Sequence, residues 1–357
     1  MKTARLAWID YARGIAIILV LYRHVFEGIK QAGISVAHYL PVEYANIMFY
    51  SFRMPLFFIV SGVFVARSLH KRGIQKFIEN KARTIIYPYV IWGSLQIILQ
   101  YIFSAYINTD KENLNLLYLL YSPREVGQFW YLYALFNVAV LYVILKVYAK
   151  LNALQCTALG ILMFYLSSLL SQYQVNTWFL ADILHYFVFF AVGDLFSSIV
   201  LNSIHNEVGY FKKHILLWVI PFIGAQAVYL YLNLQHPSVL FDYVEYSMPV
   251  IFLIIAFLGC GFVILLSQYL DKTGKIKWLR IVGEHSLYIY VVHVIVMAAV
   301  RIFMMHVLGI TNLPLLLITG ILVGLLIPIL LYKLAIKANM PWLFTLENKN
   351  TRNLKKE

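Results

Sequence analysis

Charge and cysteine are both scarce in this sequence. Only 13% of its 357 residues are Asp, Glu, Lys or Arg, about half the share of an ordinary soluble domain. Two cysteines are present, Cys156 and Cys260, each inside an apolar stretch. That excludes a disulfide scaffold and a thiolate metal site. Also missing are a Gly-rich phosphate loop, a Gly-x-Ser-x-Gly elbow, a His-Glu-x-x-His pair and a Cys-x-x-Cys pair. These gaps argue against a soluble-type nucleotide domain and a zinc centre. There is no repeat of fixed period, no low-complexity block and no polar stretch long enough for a soluble domain. The N-terminal apolar run is broken by Asp10 and Arg13 and lacks a small-residue cleavage site, so it reads as a retained first span rather than a signal peptide.

What the chain does have is apolar bulk. The broad apolar share is 62%, and a soluble protein of that composition could not cover its own surface. Lipid is the indicated solvent, and the 27 Tyr, 24 Phe and 7 Trp suit interfacial belts and large helix contacts. Runs of the ~20 residues needed to cross a bilayer fall at about 7–26, 44–65, 84–106, 128–148, 154–171, 178–200, 214–233, 247–268, 286–306 and 314–337. The expectation is an all-α, polytopic membrane helix bundle of about ten transmembrane helices. Residues 1–345 form one integral-membrane domain, and 346–357 a basic tail.

The formal charge of +13 admits nucleic acid, anionic lipid or an orientation signal. Its distribution decides. With the N-terminus inside, 22 of the 29 Lys and Arg sort to one side, the excess that marks cytoplasmic loops. Both termini are therefore expected in the cytoplasm, and no nucleic-acid partner is expected. The seven basic residues outside that sorting are Arg13, Arg23, Lys30, Arg53, Lys111, Arg124 and Arg301.

Ionisable residues within a span are costly and mark function. The first span holds Asp10, Arg13, Arg23, His24 and Glu27. At ~100° per residue, Arg13 and His24 point within roughly 20° of each other, with Asp10 and Glu27 on the same side and Arg23 elsewhere. Arg13 and His24 are about 16 Å apart along the axis. That is too far for a hydrogen bond but suits a tunnel with a cation at the cytoplasmic mouth and an imidazole deeper in. The plainer alternative makes Asp10 a helix cap paired with Arg13, with His24 and Glu27 in the interface.

Two further stretches carry candidates. In Ser51–Phe64, Arg53 is charged and Ser61-Gly62 in mid-span allows close helix approach, which is also its packing explanation. Lys81 and Arg83 precede Pro88 at the mouth of the third span, where cations can hold phosphate or simply anchor the chain. In Gly283–His293, Ser286 and His293 lie two turns apart on one face. His293 is either a second functional imidazole or a packed histidine bonded to a backbone carbonyl. Trp130 and the Asp182/His185 pair are lesser candidates. Asp182 is expected to cap the outer start of its helix and Asp194 to end it.

Taken in order, Asp10, Arg13-Gly14, His24, Met54-Pro-Leu-Phe-Phe-x-x-Ser61-Gly62, Arg83-x-x-x-x-Pro88, Trp130-Tyr131-Leu132 and Gly283-x-x-Ser286-Leu-x-Ile-Tyr290-x-x-His293 resemble the acyltransferase 3 family. These are integral-membrane enzymes that mostly O-acetylate sugars and other acceptors. Two positions depart from the sugar-acetylating branch: Arg23 stands where Gly is frequent, and Arg53 where His is frequent. Acceptor identity is therefore not carried over, and the added charge raises an anionic acceptor as a hypothesis.

The resemblance implies acetyl-CoA as acyl donor, a sugar or glycan hydroxyl as acceptor, no bound cofactor and no metal. His24 would be base or transient acyl carrier, with Asp10, Glu27 and His293 beside it in the catalytic group. Arg13, Lys81 and Arg83 would face the donor's phosphates, and Ser61, Arg53, Trp130 and Ser286 would line the substrate site. A multi-pass protein of the bacterial inner membrane is implied. The rival reading is a proton-coupled transporter of a sugar or small anion, since buried Asp, Arg and His also build carriers. The internal pseudo-repeats expected of a carrier are absent from the sequence.

Overall fold

The computed structural model describes residues 6–103, 115–203, 207–236 and 241–346. The basic residues Lys2, Arg5, Lys111, Lys349, Arg352, Lys355 and Lys356 lie outside the described residues, as does almost all of the expected tail. Among the described residues the fold is all helical, without a strand. In chain order the helices are α1 (Ala7–Gln31), α2 (Leu40–Gly62), α3 (Val65–Lys81), α4 (Tyr87–Ile102), α5 (Tyr118–Tyr121), α6 (Trp130–Val147), α7 (Ala153–Gln172) and α8 (Phe179–Leu195). They continue as α9 (Ser197–Asn202), α10 (Val208–Gln235), α11 (Tyr243–Ser247), α12 (Pro249–Thr273), α13 (Lys277–Glu284), α14 (Ser286–Ile302) and α15 (Leu313–Lys337).

Among the described residues, seven helical segments are long and apolar enough to cross a membrane, the α3–α4 segment and α6, α7, α10, α12, α14 and α15 among them. The other three expected spans, α1, α2 and α8, are helices too. They differ in what surrounds them. α1 is packed by α2, α12, α13, α14 and α15, and α2 by α1, α8, α10 and α12. In α8 nearly every residue from Asp182 to Asp194 is buried. A helix screened from lipid by its neighbours is free to carry polar groups, so α1 and α2 read as less apolar, whereas α8 is apolar but only 17 residues long. The outer helices show the converse. α10 turns Leu216, Leu217, Ile220 and Ile223 outward, Ile220 at 79% exposure, as a lipid-facing helix should.

Local sequence sets several boundaries. Asn152 caps α7 through its side chain, with Gln155 returning the bond. Gly274, at φ +61°, stops α12 in the left-handed conformation that glycine adopts without strain. Pro249 starts α12, where a missing N–H leaves no bond unmade, and Pro88 follows directly on the π-helical turn at 82–86. Pro55 and Pro328 lie within helices, tolerated because packed neighbours can satisfy the freed carbonyls.

The basic segments gather at one end, called here the basic end. There the Trp8 backbone N–H donates to Asp271 (3.1 Å) and the Tyr11 hydroxyl to the Lys275 carbonyl (2.8 Å). Also there, Asp194 takes hydrogen bonds from Tyr142 and Lys146, and α8 ends one residue later, as expected.

Glycine sets the approach of α2 to α8. A Cβ on Gly62 would run into the Phe190 carbonyl, and one on Gly193 into that of Ile59. The packing explanation of the Ser61-Gly62 step thus holds for Gly62. Gly193→Ala is expected to force the helices apart and cost about 1–3 kcal/mol, seen as a lower midpoint of thermal unfolding in detergent.

Candidate functional site

His24 and His293 come together near the end of α1 remote from the basic segments. Their ring centroids are 5.2 Å apart. His293 is fully buried, with Nδ1 2.7 Å from the Tyr290 carbonyl and 3.1 Å from that of Ile289. Bonds to two carbonyls place the proton on Nδ1. Nε2 has no hydrogen-bond partner among the described residues and is left with a lone pair. The packed-histidine explanation of His293 is met by these backbone bonds, and its other nitrogen has no partner among the described residues.

A cavity of about 690 Å³ lies beside this pair, between α1, α4, α14 and α15, with His24, Glu27, Gln96, Gln100 and Arg301 as its main polar walls. Gln96 and Gln128 pair their amides (2.7 Å), and the Tyr290 hydroxyl donates to the Gln128 carbonyl. The segment before α6 is thus fixed to the helix that carries His293. Gly127, at φ +70°, makes the turn that brings it there.

From Glu27 a chain of polar contacts runs into α2. Asn46 Nδ2 donates to Glu27 (2.9 Å), and Arg53 Nη1 approaches Asn46 Oδ1 at 3.4 Å. The guanidinium groups of Arg53 and Arg23 lie 5.1 and 5.2 Å from the centroid of the Tyr50 ring. Arg23 thus meets Tyr50 of α2. The Tyr50 hydroxyl donates to Glu245 (2.6 Å), whose other oxygen is 2.9 Å from His185 Nε2.

At the basic end, Asp10 is buried and Arg13 half-buried on the same face of α1. The residue before α1 is Leu6, which makes no side-chain cap. Lys81 lies within electrostatic reach of Arg13 and Arg72, and Arg83 is half-buried in the π-helical turn at 82–86. α13 docks on α1 here so closely that a Cβ on Gly283 would collide with the Asp10 carbonyl.

The remaining candidates are dispersed. Asp10 precedes His24 by fourteen residues, about 21 Å along α1, and belongs with Arg13. Ser286 is buried at the start of α14, two turns from His293, and Ser61 is half-buried beside Gly62. Trp130 stacks under Arg124 (4.6 Å to the centroid) and against Tyr186 (5.2 Å), while its neighbour Tyr131 touches Tyr290. Asp182 does not cap α8. It sits four residues into the helix, too deep to reach the free N–H groups of the first turn, and takes two hydrogen bonds from Arg124 (2.6 and 2.8 Å).

Sequence reasoning missed Asn46, Tyr50, Gln96, Gln128, Glu245 and the cavity role of Arg301. Asn46 had a signal, lying two turns from Arg53 on one face of α2. Glu245 had none, since it falls in the short polar segment just before the α12 run.

A family model described as an acyltransferase domain matches residues 6–333. A nodulation protein, NolL, of Mesorhizobium japonicum is 27% identical over 143 residues, 40% of this chain and 36% of its own. The chain thus spans about a third of that relative's length. No solved structure matches the chain.

Proposed function

The chain belongs to the acyltransferase 3 family, a multi-pass membrane acyltransferase, and on that footing we propose that it moves an acetyl group from cytoplasmic acetyl-CoA to a hydroxyl of a sugar or glycan. The observation that carries this reading is the His24–His293 pair beside a cavity, at the far end of a stripe that begins with Arg13. Acyl transfer to a hydroxyl needs a base that is free near neutral pH, and imidazole is that base.

In the direct route His24 takes the hydroxyl proton as the oxygen attacks the thioester carbonyl. The C–S bond breaks, the ester forms and the proton passes to the departing thiolate. In the carrier route the imidazole nitrogen first takes the acetyl group, releasing CoA thiol, and the acceptor oxygen then displaces it. His293, held by its two carbonyls, positions His24 in either route. Arg13, Lys81 and Arg83 hold the donor's phosphates at the basic end, which is the cytoplasmic one in a bacterial inner membrane.

Purified protein incubated with acetyl-CoA and candidate glycans should release CoA thiol and form an ester in equal amounts. Thiol release without ester, or accumulation of a sugar in vesicles without acetyl-CoA, would overturn the reading, the latter in favour of a carrier. Arg13→Gln combined with Lys81→Gln is expected to raise the KM for acetyl-CoA by roughly tenfold or more, since hydrogen bonds to charged groups contribute about 1.5–3 kcal/mol each. The KM for acceptor should stay as it was. Equal KM values for donor in variant and wild type would remove both residues from the donor site.

A further inference from the structure

Away from the histidine pair, a second cavity of about 250 Å³ opens where α7 turns into α8. Its walls include Arg124, Ser167, Ser171, Asn176, Trp178 and His185. His185 is 2% exposed. Its Nε2 lies 2.9 Å from Glu245 without the alignment of a hydrogen bond, and neither ring nitrogen has a hydrogen-bond partner among the described residues. Burial of a polar nitrogen without a partner is costly, so a cavity lined by such a group is matched to a ligand that supplies the bond.

The charges around it select the ligand. Arg124 is already committed to Asp182 at 2.6 Å, and Glu245 stands against His185. The cations here are balanced by carboxylates, so a second anion gains little. With the ring proton on the Nε2 that faces Glu245, Nδ1 presents a lone pair and calls for a donor. In the other tautomer Nδ1 carries the proton and calls for an acceptor instead. A hydroxyl serves both states, because it donates and accepts. Ser167, Ser171 and Asn176 add further hydroxyl and amide partners, and Trp178 offers an aromatic face at the rim.

Trp178 is itself held at φ +46°, a left-handed conformation that costs a bulky residue free energy and recurs at ligand clamps. The volume lies at the small end of ligand sites, ~300–1,000 Å³, which suits one sugar ring rather than a chain.

We infer that this cavity is a carbohydrate subsite, in which His185 Nδ1 hydrogen-bonds a hydroxyl of a neutral sugar residue. It rests on the glycan reading above and gives the acceptor a second point of recognition. Through Glu245, Tyr50, Arg53 and Asn46 it is connected by polar contacts to Glu27 at the larger cavity.

The test is direct binding by saturation-transfer NMR, without acetyl-CoA, using detergent-purified protein. Methyl glycosides serve as probes, with inorganic phosphate as the anionic control. Two variants are compared: His185→Phe removes the nitrogen, and Ser171→Trp fills the rim from an exposed position. The expected result is a methyl glycoside response in the wild type, reduced at least fivefold in both variants and not displaced by phosphate. Absence of a response in the wild type, displacement by phosphate, or a response kept by either variant would overturn the inference. Because binding is read apart from turnover, a protein that binds glycosides here yet forms no ester from acetyl-CoA would leave the subsite standing and remove the proposed reaction.

Discussion

His24→Ala is expected to lower acetyl transfer by about 10²–10⁴-fold, the usual contribution of a positioned general base, and by more if the imidazole also carries the acyl group. The fold should survive. His24 is half-buried at a cavity wall, so truncation enlarges an existing space rather than opening a void in packed core. His293 keeps its backbone bonds to Tyr290 and Ile289. Thermal unfolding and elution in detergent should therefore match the wild type while thiol release from acetyl-CoA falls to background.

Labelled acetyl-CoA without acceptor separates the two chemical routes. Label retained on the wild type and absent from His24→Ala means a carrier, and no label on either means direct transfer. Turnover of the variant within about threefold of the wild type would take His24 out of the reaction. His293→Gln should have a smaller effect on kcat, because its amide can keep a bond to backbone but offers no second imidazole.

The second large effect is on the fold. Gly283→Val is expected to destabilise the protein by about 3 kcal/mol or more, at the upper end for overpacking, and in the extreme to prevent accumulation in the membrane. At Gly283 the backbone of α13 rests on that of α1, and any side chain would strike the Asp10 carbonyl and the Gly14 N–H. Backbone cannot rotate away as a side chain can. Gly14 meets the Leu279 carbonyl in the same seam, so two glycines from different helices define one contact. Detergent-solubilised Gly283→Val should elute as aggregate or unfold well below the wild type, with Gly283→Ala between them. A valine variant that melts with the wild type would show that the two helices can part without cost.

Much of this was legible in the sequence, for identifiable reasons. The stripe from Arg13 to His24 lies within one helix, where spacing alone fixes direction. The pairing of His24 with His293 was indicated only by their separate motifs, since no local rule relates α1 to α14. Seven segments are long and apolar enough to span a membrane; α1 and α2 fall outside because they carry polar groups among neighbouring helices, and α8 because its helix is only 17 residues long. Glu245 was illegible because it reaches His185 and Tyr50 from a five-residue helix outside the apolar run. Asp182 was misread as a cap because its partner, Arg124, is 58 residues away in sequence.

One unbroken helix carries both the cation and the imidazole. α1 runs from Ala7 to Gln31 without an internal proline or a non-helical residue, so Arg13 and His24 are tied at a separation of about 16 Å. A rigid rod works as a ruler. If Arg13 holds the donor's phosphates and His24 meets its acyl carbon, as proposed, the donor must span that length with its own flexible arm, and no hinge within α1 can shorten it. On that proposal, thioesters whose phosphates and acyl carbon lie closer together than this would reach one end or the other, never both.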